Sequence, residues 1–272
     1  MTPAPAGTAP PGWEAKAAAA RDILSQALSR FTPHGLAIAW TGGKDSTLLV
    51  HLARQAARDA GCPMPQVLFI DEGDPFPEIT AFMDRLVREW GIDLAVIRND
   101  DLLAAGVAGG PVSTARLSRE NRCELERAGW SAPEFHLDPE AFPASHLLKT
   151  VPLRRHLEGT GMAALATAIR RDEHPARQAE TVFSPRETPR HVRVHPLLSF
   201  REREVWEATF GLGLPFCELY RAGYRSLGCR SGTVKNADIP AWEQDMEGTP
   251  ERAGRHQGKE AAMAQLRALG YM

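Results

Sequence analysis

Six consecutive residues, Thr41-Gly42-Gly43-Lys44-Asp45-Ser46, carry the clearest chemistry in the sequence. They lie between a short apolar run, Leu36 to Trp40, and a helical pattern that begins at Ser46. A strand, a Gly-Gly turn and a helix start expose successive backbone N–H groups at the positive end of a helix dipole, a nest that holds phosphate oxygens. Gly42 and Gly43 let the backbone approach closely, Lys44 adds a positive charge, and Thr41 and Ser46 supply hydroxyls. A Walker A loop requires a further glycine five positions before the Gly-Lys pair. That position is Ile38, inside the apolar run, so the loop is a different kind of phosphate cradle.

Other ionisable residues fall where such a site could use them. Asp71 ends a second apolar run and suits a nucleotide or magnesium contact. Arg170, Arg171 and Arg177 follow a later strand, and guanidinium forks match tetrahedral oxyanions. Asp172 either orients those arginines, helps to bind magnesium, or forms a local ion pair. Arg186 and Arg225 are candidate oxyanion contacts, whereas His174, His191 and His195 read as packing or surface groups. No set of metal ligands stands out.

These residues need a scaffold, and hydrophobic periodicity supplies one. Leu36 to Trp40 reads as a strand, followed by a helix through Leu48, Leu49, Leu52, Ala53 and Ala56 that stops near Gly61. Val67 to Asp71 is a second strand, Ile79 to Trp90 lies on an amphipathic helix, and Leu94 to Arg98 is a third strand. Between Asp100 and His146 the pattern dissolves into loops, with a short helix near Ser118 to Ala128. A helix follows Pro152, strands follow at Ala163 to Ile169 and Val192 to Leu198, and a helix runs from Arg201 with a capping box of Ser199 and Glu202. Thr249-Pro250-Glu251 opens a helical turn, and Glu260 to Leu269 reads as a last helix. The expected fold is α/β: a parallel twisted sheet with helices on both faces, Rossmann-like, plus a C-terminal helical and loop extension. Residues 1–13 read as a disordered tail, 14–212 as the nucleotide-binding domain with an insertion over about 100–146, and 213–272 as a substrate-side extension on the same core.

Composition excludes several classes. With 32 Lys and Arg against 34 Asp and Glu, the net charge of −2 gives no global pull toward nucleic acid or a membrane surface, so an anion site must be local. No run of apolar residues reaches the length of a membrane span, and the Ala- and Pro-rich start has no signal-peptide pattern; a cytoplasmic protein is expected. The four cysteines, Cys62, Cys123, Cys217 and Cys229, form no CxxC pair.

Thr41 to Ser46 resembles the SGGKDS signature of PP-loop ATP pyrophosphatases. Phe69-Ile70-Asp71 with Phe76-Pro77-Glu78 is similar to the strand and turn of the PAPS reductase and ATP sulfurylase family. The segment Arg170-Arg171-Asp172-Glu173, with Arg177 and Phe183-Ser184-Pro185-Arg186, resembles the arginine-rich stretch of the small subunit of heterodimeric ATP sulfurylases. His146 to Thr150, Tyr224 to Cys229, Glu251-Arg252-Ala253-Gly254-Arg255 and Gly270-Tyr271 extend the likeness over nearly everything from Leu36 onward.

The resemblance implies an adenine nucleotide alpha hydrolase-like fold and cleavage of ATP, with Mg²⁺, between its α and β phosphates. It implies transfer of the adenylyl group to an oxyanion, sulfate first, giving adenylyl sulfate and pyrophosphate. Lys44, Asp45, Arg171, Arg177 and Arg225 become the catalytic candidates; Thr41, Gly42, Gly43, Lys44, Asp45, Ser46, Asp71, Arg170 and Asp172 become the nucleotide-binding ones. Because sulfate adenylylation is uphill, the family couples it to GTP hydrolysis on a separate subunit. The partners expected are therefore ATP, a small oxyanion and a GTPase subunit, or further copies of this chain, with no nucleic acid and no membrane. The alternatives are a sulfonucleotide reductase and a PP-loop protein that activates another acceptor or only binds nucleotide. A reductase would carry a C-terminal Glu-Cys-Gly segment and, with an iron–sulfur cluster, a Cys-Cys pair and a CxxC; this chain ends Ala268-Leu269-Gly270-Tyr271-Met272, and no cluster is expected.

Overall fold

The computed structural model describes residues 12–31 and 35–255. The expected helix at Glu260 to Leu269, and the segment 1–11, lie outside the described residues. Seven helices and eight strands are described: α1 (Trp13–Phe31), β1 (Leu36–Ala39), α2 (Lys44–Asp59), β2 (Gln66–Ile70), α3 (Pro77–Trp90), β3 (Leu94–Ile97), α4 (Asp100–Ala105), β4 (Pro111–Ser113), α5 (Arg119–Arg127), β5 (Glu134–His136), α6 (Val151–Thr160), β6 (Ala164–Ala166), β7 (Phe183–Glu187), β8 (Arg190–Val194) and α7 (Glu202–Gly211).

The main sheet has the order β3-β2-β1-β6-β8-β7. Its first five strands are parallel, while β7 joins β8 antiparallel at one edge. Strand alternation sends neighbouring side chains to opposite faces. Ile38, Val67, Ala166 and Val194 accordingly enter the core shared with α1, α2, α3 and α7. Ala37, Leu68 and Leu165 enter a second core against α6. The sheet is thus covered on both faces, as a parallel sheet with continuous apolar strands requires.

The structure departs from the sequence reading in places. Helix α1, Trp13–Phe31, takes in Trp13, which the sequence placed in the tail, and its buried face is mostly alanine: Ala17, Ala20 and Ala27 beside Leu24 and Leu28. Trp13 packs so closely on Gly211 that a Cβ there would meet the indole at 2.4 Å. The insertion is more ordered than loops and one helix. It contains α4, α5 and the antiparallel pair β4–β5, and Leu102, Val112, Leu125 and Phe135 form a small core with Leu147 and Leu148. A π-helical turn, His146–Thr150, leads directly into α6, so that helix starts before Pro152. Strand β8 ends at Val194, ahead of Pro196, and β6 is shorter than expected. The cap of α7 is also shifted: the Arg201 amide donates to Glu204 Oε2 at 2.7 Å, and Glu202 serves elsewhere.

Candidate functional site

A cavity of about 340 Å³ opens at the carboxyl edge of the sheet, where Ala39, Ile70, Thr167 and His195 stand at the ends of β1, β2, β6 and β8. Open parallel sheets bind ligands at this edge, where loops converge and helices start. The Thr41–Ser46 loop, the apolar side chains Leu68, Ile70, Leu153 and Leu165, and the polar residues Lys149, Cys229, Arg252 and Arg255 all line it.

The loop is held by its own hydroxyls. Ser46 Oγ donates to the Gly43 carbonyl at 3.0 Å and accepts from the Thr41 amide at 3.2 Å, and Thr41 Oγ1 lies 3.1 Å from it. Gly42 has φ +73°, and a Cβ there would meet Ile79 Cγ2 at 2.7 Å, so both backbone and space demand glycine. The first-turn amides of α2 face the cavity end, lacking intrahelical acceptors as every helix start does. The Lys44 amide is the exception: it donates to Tyr220 Oη at 2.8 Å.

Lys44 is buried, and its ammonium contacts Glu251, Asp45 Oδ2 at 3.3 Å, Glu202 Oε1 at 3.8 Å and the Arg225 carbonyl at 3.1 Å. Burial works against the charged form, but Asp45 and Glu251 outweigh it and hold the ammonium above its ordinary range. Arg170, fully buried, binds Asp45, Glu251 and, at 2.9 Å, Asp172. Glu251 sits between Lys44 and Arg170; against the effect of burial, these cations keep its carboxyl well below the usual carboxylate range.

The expected site residues separate into groups. Thr41, Gly43, Lys44, Asp45, Ser46 and Arg177 line the cavity, with Arg177 paired to Glu173. Arg170 and Asp172 stand directly behind; the other oxygen of Asp172 accepts the Glu202 amide at 2.8 Å, which fixes the start of α7 to the cluster. Arg225 is buried behind Lys44, its fork on Glu202 at 2.5 and 3.2 Å and its remaining nitrogen on Thr249 Oγ1 at 2.6 Å and the Asp245 carbonyl at 3.1 Å. Arg171 is exposed and donates to the Glu180 carbonyl at 3.2 Å, away from the cavity wall. Arg186 is spent on Glu180 at 3.1 Å. Asp71 lines a neighbouring recess, accepts the Gly73 amide at 2.8 Å, and lies 3.6 Å from Arg98. His195 is more than packing: it reaches the cavity and hydrogen-bonds Thr167 Oγ1 at 2.9 Å, with burial pushing its pKa down to about 3.

Several site residues escaped the sequence reading. Tyr220 carried no motif, because its role depends on a contact across 176 positions. Glu251 and Arg252 belong to a segment that the sequence marks as a helical turn and by its resemblance but not as part of the site, and the adjacent acid and base at Glu251-Arg252 was the available signal. On the cavity wall, Lys149 contacts Glu72 Oε2 at 2.7 Å and Glu140 Oε1 at 3.6 Å, and Arg255 contacts Glu140 at 2.6 Å. Glu72, Glu140 and Cys229 bring donor atoms within 4.8 Å of one another. The Lys149 ammonium fills the place a cation would take there. Cys229 is buried, and burial, aided by Glu140, raises its thiol pKa.

Comparison with known proteins agrees with this architecture. The family described as "Phosphoadenosine phosphosulfate reductase domain" matches residues 35–235. Sulfate adenylyltransferase subunit 2 of Azospirillum brasilense is 31% identical over 84% of this chain and 74% of its own length. Three further relatives of that name are matched over 58% to 66% of their length. Among solved structures, a PAPS reductase from Candida auris superposes with a TM-score of 0.56 at 20% identity, covering 79% of this chain and 90% of the other. The FMN adenylyltransferase of Candida glabrata in complex with ATP superposes with a TM-score of 0.59 at 17% identity, over 94% and 80%. At these identities the two structures speak for the fold. Among the described residues, no helix is long and apolar enough to cross a membrane.

Proposed function

The chain belongs to the phosphoadenosine phosphosulfate reductase domain family, and on that premise we propose that it is a cytoplasmic nucleotidyltransferase that adenylylates an oxyanion. ATP is cleaved between its α and β phosphates, sulfate is the first acceptor, and the products are adenylyl sulfate and pyrophosphate. One observation carries this reading: the Thr41–Ser46 loop, the apolar Leu68, Ile70 and Leu165, and the cations Lys149, Arg252 and Arg255 line a single cavity. The nucleotide-binding α/β unit is residues 14–212, and 213–272 is the substrate-side extension that carries Tyr220 and Glu251.

The mechanism relies on placement and charge. The loop amides and Lys44 hold the β and γ phosphates, which become the leaving pyrophosphate. Leu68, Ile70 and Leu165 offer an apolar bed for the adenine ring. Sulfate, already fully ionised, needs no general base, and His195, its pKa pushed down by burial to about 3, is too weakly basic to serve as one. Arg252 and Arg255 orient the acceptor oxygen toward the α phosphorus, converting a bimolecular encounter into a positioned one. Arg170 and Asp172 hold Lys44 and Asp45 in register, and Arg177 faces the same cavity. Mg²⁺ is a hard cation that takes carboxylate and phosphate oxygens. The Asp45 carboxylate, on the cavity wall beside the loop, suits it, and the ion when bound would neutralise phosphate charge.

The curated relatives are named as second subunits, and an uphill adenylylation needs a driving step. A GTPase subunit supplied in trans meets that need. The reductase reading is weaker because its nucleophile would be Cys229, a thiol whose pKa burial raises, whereas reactive cysteines sit in electropositive, partly exposed surroundings that lower it. The test is pyrophosphate release from ATP and Mg²⁺ across a panel of acceptors, with inorganic pyrophosphatase to draw the reaction forward. Stimulation by sulfate or selenate supports the proposal. Sulfite release from adenylyl sulfate and a dithiol, without sulfate-stimulated pyrophosphate, would reverse the ranking.

A further inference from the structure

The charges around Lys44 do not suit a polyphosphate as they stand. Three cations, Lys44, Arg170 and Arg225, face four carboxylates, Asp45, Asp172, Glu202 and Glu251, so the cluster already carries an excess of negative charge. A triphosphate brought to the loop would meet Lys44 and Arg170 with their inward contacts taken by Glu251. Like charges juxtaposed in a desolvated site cost enough to decide what binds there. One carboxylate has to leave.

Asp172 cannot leave easily, because it caps the first amide of α7, and Glu202 is forked onto Arg225. Asp45 is part of α2 itself. Glu251 differs. It starts a four-residue 3₁₀ turn, Glu251–Gly254, on which the backbone ties are the Val234 amide to the Gly254 carbonyl at 2.8 Å and the Thr233–Arg255 bridge, while the side chains of Arg252 on Glu173 at 3.1 Å and of Arg255 on Glu140 at 2.6 Å give the turn pivots that do not involve Glu251 itself. Its two oxygens sit on the two cations, one each, as two oxygens of a phosphate would.

We propose that Glu251 is an internal stand-in for a phosphate: it seats on Lys44 and Arg170 while the nucleotide is absent, and the nucleotide displaces it. The proposal rests on the assignment of an ATP site at the Thr41–Ser46 loop. Displacement has a consequence elsewhere on the cavity wall, because Arg252 and Arg255 lie on and beside the same turn and both line the cavity. Arrival of the nucleotide therefore rearranges the acceptor end, and the two substrates are coupled through a movement of Glu251–Arg255. The same contact keeps Lys44 and Arg170 neutralised when no nucleotide is present, so that stray anions compete with a carboxylate already in place.

Hydrogen–deuterium exchange on the full chain tests this, with Mg²⁺ and an ATP analogue carrying a methylene between the α and β phosphorus. The expected result is protection of amides 44–48 together with faster exchange at Val234, Ala253 and Arg255, whose amide hydrogen bonds form and anchor the turn, by about fivefold or more, the lower range of ordinary coupling between sites. Protection at 44–48 with unchanged or slowed exchange at those three amides overturns the displacement and leaves the ATP site standing. No protection at 44–48 overturns the ATP site and the displacement with it. In parallel, Glu251→Gln is expected to bind the analogue about fivefold or more tighter by calorimetry. Equal or weaker binding by the folded variant would show that Glu251 is a scaffold for Lys44 and Arg170. Should that variant fail to fold, the exchange experiment on the natural chain decides alone.

Discussion

Tyr220 stands over Lys44: its phenol oxygen accepts the Lys44 amide hydrogen at 2.8 Å, and the Lys44 ammonium lies 5.5 Å from the centre of its ring. The contact joins the C-terminal extension to the first turn of α2 and so fixes the phosphate loop from outside its own element. Burial raises the Tyr220 hydroxyl well above its ordinary range, so the group remains a neutral phenol at physiological pH.

Tyr220→Phe removes the acceptor of a buried amide without changing the ring. Leaving such a donor unsatisfied costs about 1–3 kcal/mol. Urea denaturation should show that loss as a lower midpoint with an unchanged slope. An unaltered midpoint would mean that water replaces the phenol and that the contact contributes nothing to the loop.

Arg225 tests the division between cavity residues and the framework behind them. Because its donors are engaged by Glu202, Thr249 and Asp245, Arg225→Met should destabilise by about 3–5 kcal/mol, the cost of leaving a buried charge uncompensated. Pairing it with Glu202→Gln should recover a part of that loss. A stable Arg225→Met protein with only weakened substrate binding would place the guanidinium in the cavity instead.

Arg252 is expected to act on the acceptor. Arg252→Ala should raise the KM for sulfate about tenfold, the scale of one charge-assisted hydrogen bond, with a much smaller change in ATP affinity. Steady-state kinetics beside calorimetry separates the two. A larger loss for ATP than for sulfate would reverse the assignment of the cavity ends.

His146 gives a pH signature. Its ring is buried, 6.5 Å from the Phe142 ring, with Nε2 3.7 Å from Glu124 Oε2; burial, against the pull of Glu124, brings its pKa from 6.5 down to about 4. The folded state thus binds the proton less readily than the unfolded state. The contribution of His146 to stability is fully present above pH 6.5 and is lost as pH falls from 6.5 toward about 4. Urea midpoints measured between pH 7 and 4 should fall for the natural chain and fall less for His146→Gln. Parallel curves would assign the acid sensitivity to other groups, His195 among them.

The sequence revealed the parts of this molecule whose signals are local. Strands β1 to β3 were legible as short continuous apolar runs, and helices α2 and α3 as single well-contrasted apolar stripes. Helix α1 hid because its buried face is largely alanine, which contrasts little with the rest of the helix. Strand β7 hid because it is a polar edge strand with Pro185 inside it, tolerated only where one side of the ladder is open. At the site, the loop was legible as a nest, but the pairing of Lys44 and Arg170 through Glu251 was not, since it brings together residues 81 and 207 positions apart. Arg225 and Arg186 show the limit of reading charge alone: an arginine suited to an oxyanion is equally suited to a carboxylate of its own chain.

The central claim is that the Thr41–Ser46 loop holds an ATP that is opened between its α and β phosphates by an oxyanion. The decisive experiment is exchange of labelled pyrophosphate into ATP, measured with Mg²⁺, GTP and the proposed GTPase subunit, with and without sulfate. The account predicts exchange that requires sulfate and is lost in Lys44→Ala. Exchange that proceeds equally without sulfate and survives in Lys44→Ala, or release of inorganic phosphate from ATP with no exchange under any condition, would overturn the assignment.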